Sequence, residues 1–219
     1  GNTSGLKDYY DFSNFAATKG LVIVALNYRL GALGWFSHPA IQETQSGLDK
    51  ASNFGTLDII EALKWVKNNI KKFGGDPSNV TVFGESAGGH NVLALLASPL
   101  SENLFQKAIS QSGYTATSTY ERAHNRSNAF PLVKRGSWQI TKDLLFDQHS
   151  LTDQKNILKN LDAREFIGRY SWENQIDSIP LSTRDGVVIP LEGIASALGN
   201  PRYAKKIPVM SGTTKDEVS

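Results

Sequence analysis

Asn79-Val-Thr-Val-Phe-Gly-Glu-Ser-Ala-Gly-Gly-His-Asn-Val-Leu-Ala-Leu-Leu96 joins a β-branched run to a helix-forming run through a Gly-x-Ser-x-Gly pentad. A strand, a sharp turn and a helix in that order form the layout of a nucleophile elbow, which thrusts its central serine out of the turn. Gly84 and Gly88 sit two residues either side of Ser86. Both are expected where neighbouring backbone comes close and a Cβ would clash. Ser86 is therefore the candidate nucleophile. The pentad alone is a weak signal, and the strand before it and the helix after it supply the context the motif needs.

Outward from the elbow, Val80 to Phe83 reads as a strand and Ala87 to Ala97 as a helix stopped by Ser98-Pro99. Leu21 to Asn27 is an unbroken aliphatic run, the pattern of a strand buried on both faces of a parallel sheet. Asp8 to Lys19 before it reads as a helix, and Gly31 to Gly55 after it as a Gly-rich loop. In Thr56 to Phe73, the residues Ile59, Leu63, Val66, Ile70 and Phe73 recur at steps of four and three, one face of an amphipathic helix. Asp58 in its first turn and Lys71 and Lys72 in its last suit the helix dipole, and Gly74-Gly75-Asp76-Pro77 ends it. Lys107 to Ser110 and Ile207 to Ser211 look like further strands. The alternation predicts an α/β layer fold, a mostly parallel central sheet with helices on both faces. From Tyr120 to Asp177 the chain turns polar and aromatic, with a candidate helix at Thr152 to Leu161; this is read as an excursion of one partial domain spanning 1–219.

Composition narrows the classes. With 219 residues, 40% hydrophobic and 20% charged, the chain can bury a substantial core. Its longest apolar run, Leu21 to Leu26, is far short of the ~20 residues a membrane span requires. A net charge of +2, with no Lys/Arg run longer than a pair, leaves no nucleic-acid footprint. Zero cysteines exclude disulfides and thiolate metal sites, and no His/Asp/Glu cluster has metal spacing, so neither a metal nor a cofactor is expected. Asn2, Asn79 and Asn125 open glycosylation sequons, read here as chance matches. Gly1 in place of Met suggests that the natural amino terminus, with any targeting segment, lies upstream; compartment and oligomeric state stay open.

Three stretches together resemble the type-B carboxylesterases, the family that includes cholinesterases: Asn27-Tyr-Arg-Leu-Gly-Ala-Leu-Gly34, the run from Ala62 to Gly89, and Gln111-Ser-Gly113. The likeness extends from Gly1 to about Gly113 and resumes at Pro208-Val-Met-Ser-Gly-Thr-Thr-Lys-Asp-Glu217. It implies the α/β-hydrolase fold and cleavage of small carboxylic esters. Ser86 matches the family's nucleophile, with Glu85 the acidic residue common before it. Glu217 matches the glutamate that orients the catalytic histidine, and Gly1 the last glycine of the oxyanion loop. Ala87 would give the second amide donor. Two positions depart from the family pattern: Ile59 where glutamine is usual, and Val218 where glycine is usual.

A serine hydroxyl needs a base within hydrogen-bond reach and a third group to orient that base. In this fold the triad runs serine, acid, histidine along the chain. His38, His90, His124 and His149 all precede Glu217, so the base is expected beyond Ser219 and the chain alone is expected to be inactive. His90 lies one helical turn after Ser86 and reads as a packing residue; the other three read as surface or packing residues. Asp58, Asp76 and Asp185 read as helix-start and turn residues. Two alternatives stand beside the esterase: a catalytically dead interaction module of the same family, and another α/β hydrolase such as a lipase or a peptidase.

Overall fold

A computed structural model of the chain describes residues 11–125, 136–147, 150–170 and 180–217. The chain divides into two compact units: Gly1–Arg29 with Gly55–Thr115 and Ile194–Ser219, and Leu30–Phe54 with Ala116–Gly193.

The first unit carries a three-stranded sheet in the order β1 (Thr81–Glu85), β2 (Lys107–Gln111), β3 (Val209–Gly212). Both pairings are parallel, with Glu85 opposite Gln111 and Gln111 opposite Gly212, so the carboxyl ends of all three strands finish level. The helix Ala87–Ala97 follows β1 directly, and ten of its eleven residues are buried, as an almost wholly apolar sequence requires. The helix Phe54–Asn69 buries Ile59, Leu63 and Val66, with Ile70 buried just past its end.

The long helix departs from its sequence pattern at both ends. Its first turn begins at Phe54, which leaves Asp58 a turn in, where its carboxylate pairs with Arg29 rather than with the helix terminus. At the other end Ile70–Phe73 tightens to a 3₁₀ turn, closed by Gly74 at φ 81°. Three residues per turn instead of 3.6 rotate the last side chain off the apolar stripe. Phe73 is accordingly 60% exposed, its ring 5.7 Å from that of Trp65.

The run 21–27 does not form the strand its composition suggests. Leu21, Val22 and Val24 are exposed, and no ladder forms with another described segment. An aliphatic run supplies β-propensity, but a strand exists only where a neighbour completes its hydrogen bonds. The helix Ser13–Lys19 ends at Gly20 in the left-handed region; the start of the expected Asp8 to Lys19 helix lies partly outside the described residues.

In the second unit, the stretch read as a Gly-rich loop contains short helical pieces at Gly31–Trp35, Pro39–Gln42 and Gly47–Lys50. Apolar side chains explain the difference, because Trp35, Phe36 and Ala40 are buried there. The helix Leu151–Asn160 is capped by the Ser150 hydroxyl, which accepts from the Asp153 N–H at 3.0 Å. Buried Asp185 organises the turn after it: one carboxylate oxygen accepts from the N–H groups of Val187, Val188 and Ile189, the other from Ser52 N–H and the Asn53 amide. That accounts for Asp185 as a turn residue. No helix among the described residues is long and apolar enough to cross a membrane.

Candidate active site

In a parallel sheet, side chains carried just past the carboxyl ends of adjacent strands gather at one edge. Ser86 follows β1, Ser112 follows β2 and Glu217 lies five residues past β3, so the register brings the three connections together.

Ser86 has φ 56° and ψ −115°, a conformation that non-glycine residues rarely adopt and that costs on the order of 1–3 kcal/mol. Backbone bonds hold it there: Ser86 N–H donates to the Gln111 carbonyl at 2.9 Å, and the Ser86 carbonyl accepts from His90 N–H at 2.9 Å. Its side chain makes no capping bond to the helix and is exposed. The hydroxyl thus stands at the positive end of an eleven-residue helix, where a developing negative charge is stabilised. Ala87, buried in the first turn, contributes one of the terminal N–H groups that have no partner within a helix. Gly1 lies outside the described residues.

The two pentad glycines are not equivalent. A Cβ on Gly84 would come within 2.5 Å of the Gly88 backbone carbon and oxygen, whereas one on Gly88 would meet nothing within 4 Å. The expected clash at Gly88 is therefore absent, because its open side faces away from the turn. Two further glycines carry the close approach instead. A Cβ on Gly89 would meet the Gln111 carbonyl oxygen at 2.7 Å and the Gly113 Cα at 2.8 Å.

Glu217 is fixed through one oxygen. Its Oε1 accepts from Ser112 Oγ at 2.6 Å, from Thr214 N–H at 2.8 Å and from Thr214 Oγ1 at 3.0 Å. The Ser112 hydroxyl, followed by the two Thr214 donors, holds the Glu217 carboxyl below its ordinary range. No described residue hydrogen-bonds Oε2, which leaves that oxygen able to accept from an N–H donor. Ser112 has φ 48°, and its own N–H donates to the Gly212 carbonyl at 2.7 Å, tying β2 to β3 under the carboxylate. No task for Ser112 is legible in Gln111-Ser-Gly113 alone. The one local cue was its neighbour Gly113, and pairing with Glu217 needed the β2–β3 register.

Three histidines occupy packed sites. His90 is buried, its ring stacked 4.4 Å from Tyr114 and its Nδ1–H donating to the Tyr114 carbonyl at 2.7 Å. His38 is stacked against Trp138 at 5.6 Å and His124 against Tyr120 at 5.5 Å. Burial lowers His90 from its ordinary value and pushes His124 down to about 4. His149 lies outside the described residues. Asp76 accepts from Ser78 N–H at 2.8 Å in a turn, as expected, and Asp58 binds Arg29 through Nε at 2.8 Å and Nη2 at 2.7 Å. Burial raises the Asp58 carboxyl, but the Arg29 hydrogen bonds and charge outweigh it and hold the group below its usual range. No group of three or more His, Asp or Glu among the described residues could hold a metal ion.

Comparison with known families matches residues 1–219 to the carboxylesterase family. The chain belongs to that family. This carboxylesterase-family chain is 39% identical over 219 residues to para-nitrobenzyl esterase of Bacillus subtilis (strain 168), covering 98% of itself and 41% of that protein. It is 47% identical over 211 residues to liver carboxylesterase 1 of Oryctolagus cuniculus, covering 95% of itself and 36% of the relative. A solved PNB esterase superposes with a TM-score of 0.78 at 34% identity, over 98% of this chain and 43% of that one, which makes the fold that of an α/β hydrolase. The carboxylesterase-family chain thus spans about two fifths of the length of these relatives.

Proposed function

We propose that the protein is a serine esterase that cleaves small carboxylic esters through an acyl-enzyme on Ser86. The observation that carries this reading is Ser86, in a strained turn at a helix amino terminus, on the same sheet edge as a Glu217 anchored through one oxygen only. In the reaction the Ser86 Oγ–H proton passes to a histidine as Oγ bonds the ester carbonyl carbon. The oxyanion is met by the N–H groups of Ala87 and Gly1. Collapse expels the alcohol, which takes the proton from the imidazolium, and water then repeats the sequence to release the acid.

Each donor to the oxyanion is worth about 100-fold to 1000-fold in rate. Glu217 Oε2 accepts the imidazole N–H and steadies the charge that forms. The base is assigned to a histidine beyond Ser219, in keeping with the serine, acid, histidine order, and the whole of 1–219 is assigned to one α/β-hydrolase domain. Para-nitrobenzyl esters are the first substrates to try, given the name of the Bacillus relative.

The test uses the full-length protein. A fluorophosphonate should label Ser86 by peptide mass mapping, and Ser86→Ala should abolish both labelling and turnover of a p-nitrophenyl ester. Turnover that survives Ser86→Ala refutes the assignment. A catalytically dead interaction module remains the rival reading, and the retention of Ser86, Ala87 and the anchored Glu217 together weighs against it.

A further inference from the structure

We propose that His90 is a positioning residue: it locks the nucleophile-bearing helix to the turn that holds Glu217, and so sets the separation of Ser86 from the acid. The proposal rests on the esterase reading for its catalytic consequence, but its geometry stands on its own.

The helix Ala87–Ala97 meets the end of β2 along a seam that contains almost no side chain. Gly89 and Gly113 face each other so closely that a Cβ on Gly113 would lie 2.8 Å from the Gly89 carbonyl carbon. Three hydrogen bonds run along the seam. At its near end Ser86 N–H donates to the Gln111 carbonyl at 2.9 Å. In the middle Ser110 Oγ donates to the Gly89 carbonyl at 3.1 Å. At its far end His90 Nδ1–H donates to the Tyr114 carbonyl at 2.7 Å, with the imidazole stacked on the Tyr114 ring at an interplanar angle of 16°.

Ser112 sits inside the span closed by these bonds, and Ser112 Oγ holds Glu217. Without the last bond, the hydrogen bonds of Gln111 and Ser110, both made before the turn, would be left to hold it to the helix. The Ser112 turn, strained at φ 48°, could then relax and carry the carboxylate with it. Backbone packed this closely through glycines has no side chains to interlock, so a hydrogen bond and a stacked ring must supply the register. Burial also favours the neutral imidazole, which keeps the ring compatible with its apolar surroundings.

The full-length protein with His90→Phe keeps a flat ring against Tyr114 but has no donor; His90→Gln returns an N–H. The expected result for His90→Phe is a kcat lower by about 10-fold to 100-fold with KM nearly unchanged, the range a displacement near 1 Å produces. The acid limb of kcat/KM should move to lower pH, because a displaced Glu217 supports the protonated base less well. His90→Gln should restore part of kcat. Amide hydrogen exchange at Ser112, whose N–H donates to the Gly212 carbonyl, should quicken in His90→Phe.

A lowered melting temperature with unchanged kcat and pH profile would overturn the proposal, as would unchanged exchange at Ser112. Nitrogen NMR of the wild-type His90 ring gives a check that needs no variant: a proton on Nδ1 is required, and an unprotonated Nδ1 refutes the clamp. If Ser86→Ala retained full turnover, the esterase reading would fall while the exchange and NMR results still decided the clamp.

Discussion

Substituting alanine at Gly84 and at Gly88, one at a time, separates two glycines that flank Ser86 symmetrically in sequence but not in space. A Cβ on Gly84 would lie 2.5 Å from the Gly88 carbon and oxygen and 2.9 Å from its Cα, all backbone atoms that no rotamer change can move aside. Restoring ordinary contact requires the elbow to open by about 1 Å, and overpacking of this kind costs about 1–3 kcal/mol. The Gly88 position is open, φ is not left-handed and the residue is helical. Alanine there should gain about 0.5–1 kcal/mol from its better helix propensity. The two variants should therefore shift in opposite directions and differ in stability by about 1.5–4 kcal/mol, read from urea unfolding followed by circular dichroism. In the full-length protein, Gly84→Ala should also slow fluorophosphonate labelling of Ser86 by about 100-fold through the same displacement. Equal losses of stability in the two variants would refute the asymmetry and return both glycines to the same role.

Two further perturbations address the acid and the second unit. Ser112→Ala removes the largest influence holding the Glu217 carboxyl low, so its titration, followed by carbon NMR, should move up toward the ordinary value of 4.5; an unmoved titration would contradict the anchoring. His124 takes its proton near pH 4 in the folded chain and near 6.5 when unfolded, so the unfolded state binds more protons between those values. Stability is thus complete above pH 6.5 and falls by about 3 kcal/mol as pH drops to 4. His124→Phe should flatten that part of the pH dependence of unfolding, and an unchanged slope would count against the buried neutral imidazole.

The elbow was legible because local chemistry dictates it. Helix Ala87–Ala97 begins and ends where the Ser86 turn and the Ser98-Pro99 stop predict, and β1 and β2 fall within one or two residues of the strands expected at Val80 to Phe83 and Lys107 to Ser110. The apolar stripe of Ile59, Leu63, Val66 and Ile70 was equally plain, being a pure periodicity. What sequence could not supply was anything decided between segments. Whether 21–27 becomes a strand depends on a partner, whether Phe73 is buried depends on the pitch of its last turn, and whether Gly88 is crowded depends on which side the turn folds toward. The site divides the same way. Ser86 announces itself through its pentad, whereas the link from Ser112 and Thr214 to Glu217 becomes visible only through strand register.

The convergence of three donors on Glu217 Oε1 has an entropic meaning. A glutamate side chain left to itself samples many rotamers, and aligning it with a base would cost that freedom afresh at every turnover. Here the loss is incurred once, during folding, by contacts that involve neither base nor substrate. Under the esterase reading proposed above, the remaining oxygen is pre-organised in direction, so an arriving imidazole would need to order only itself.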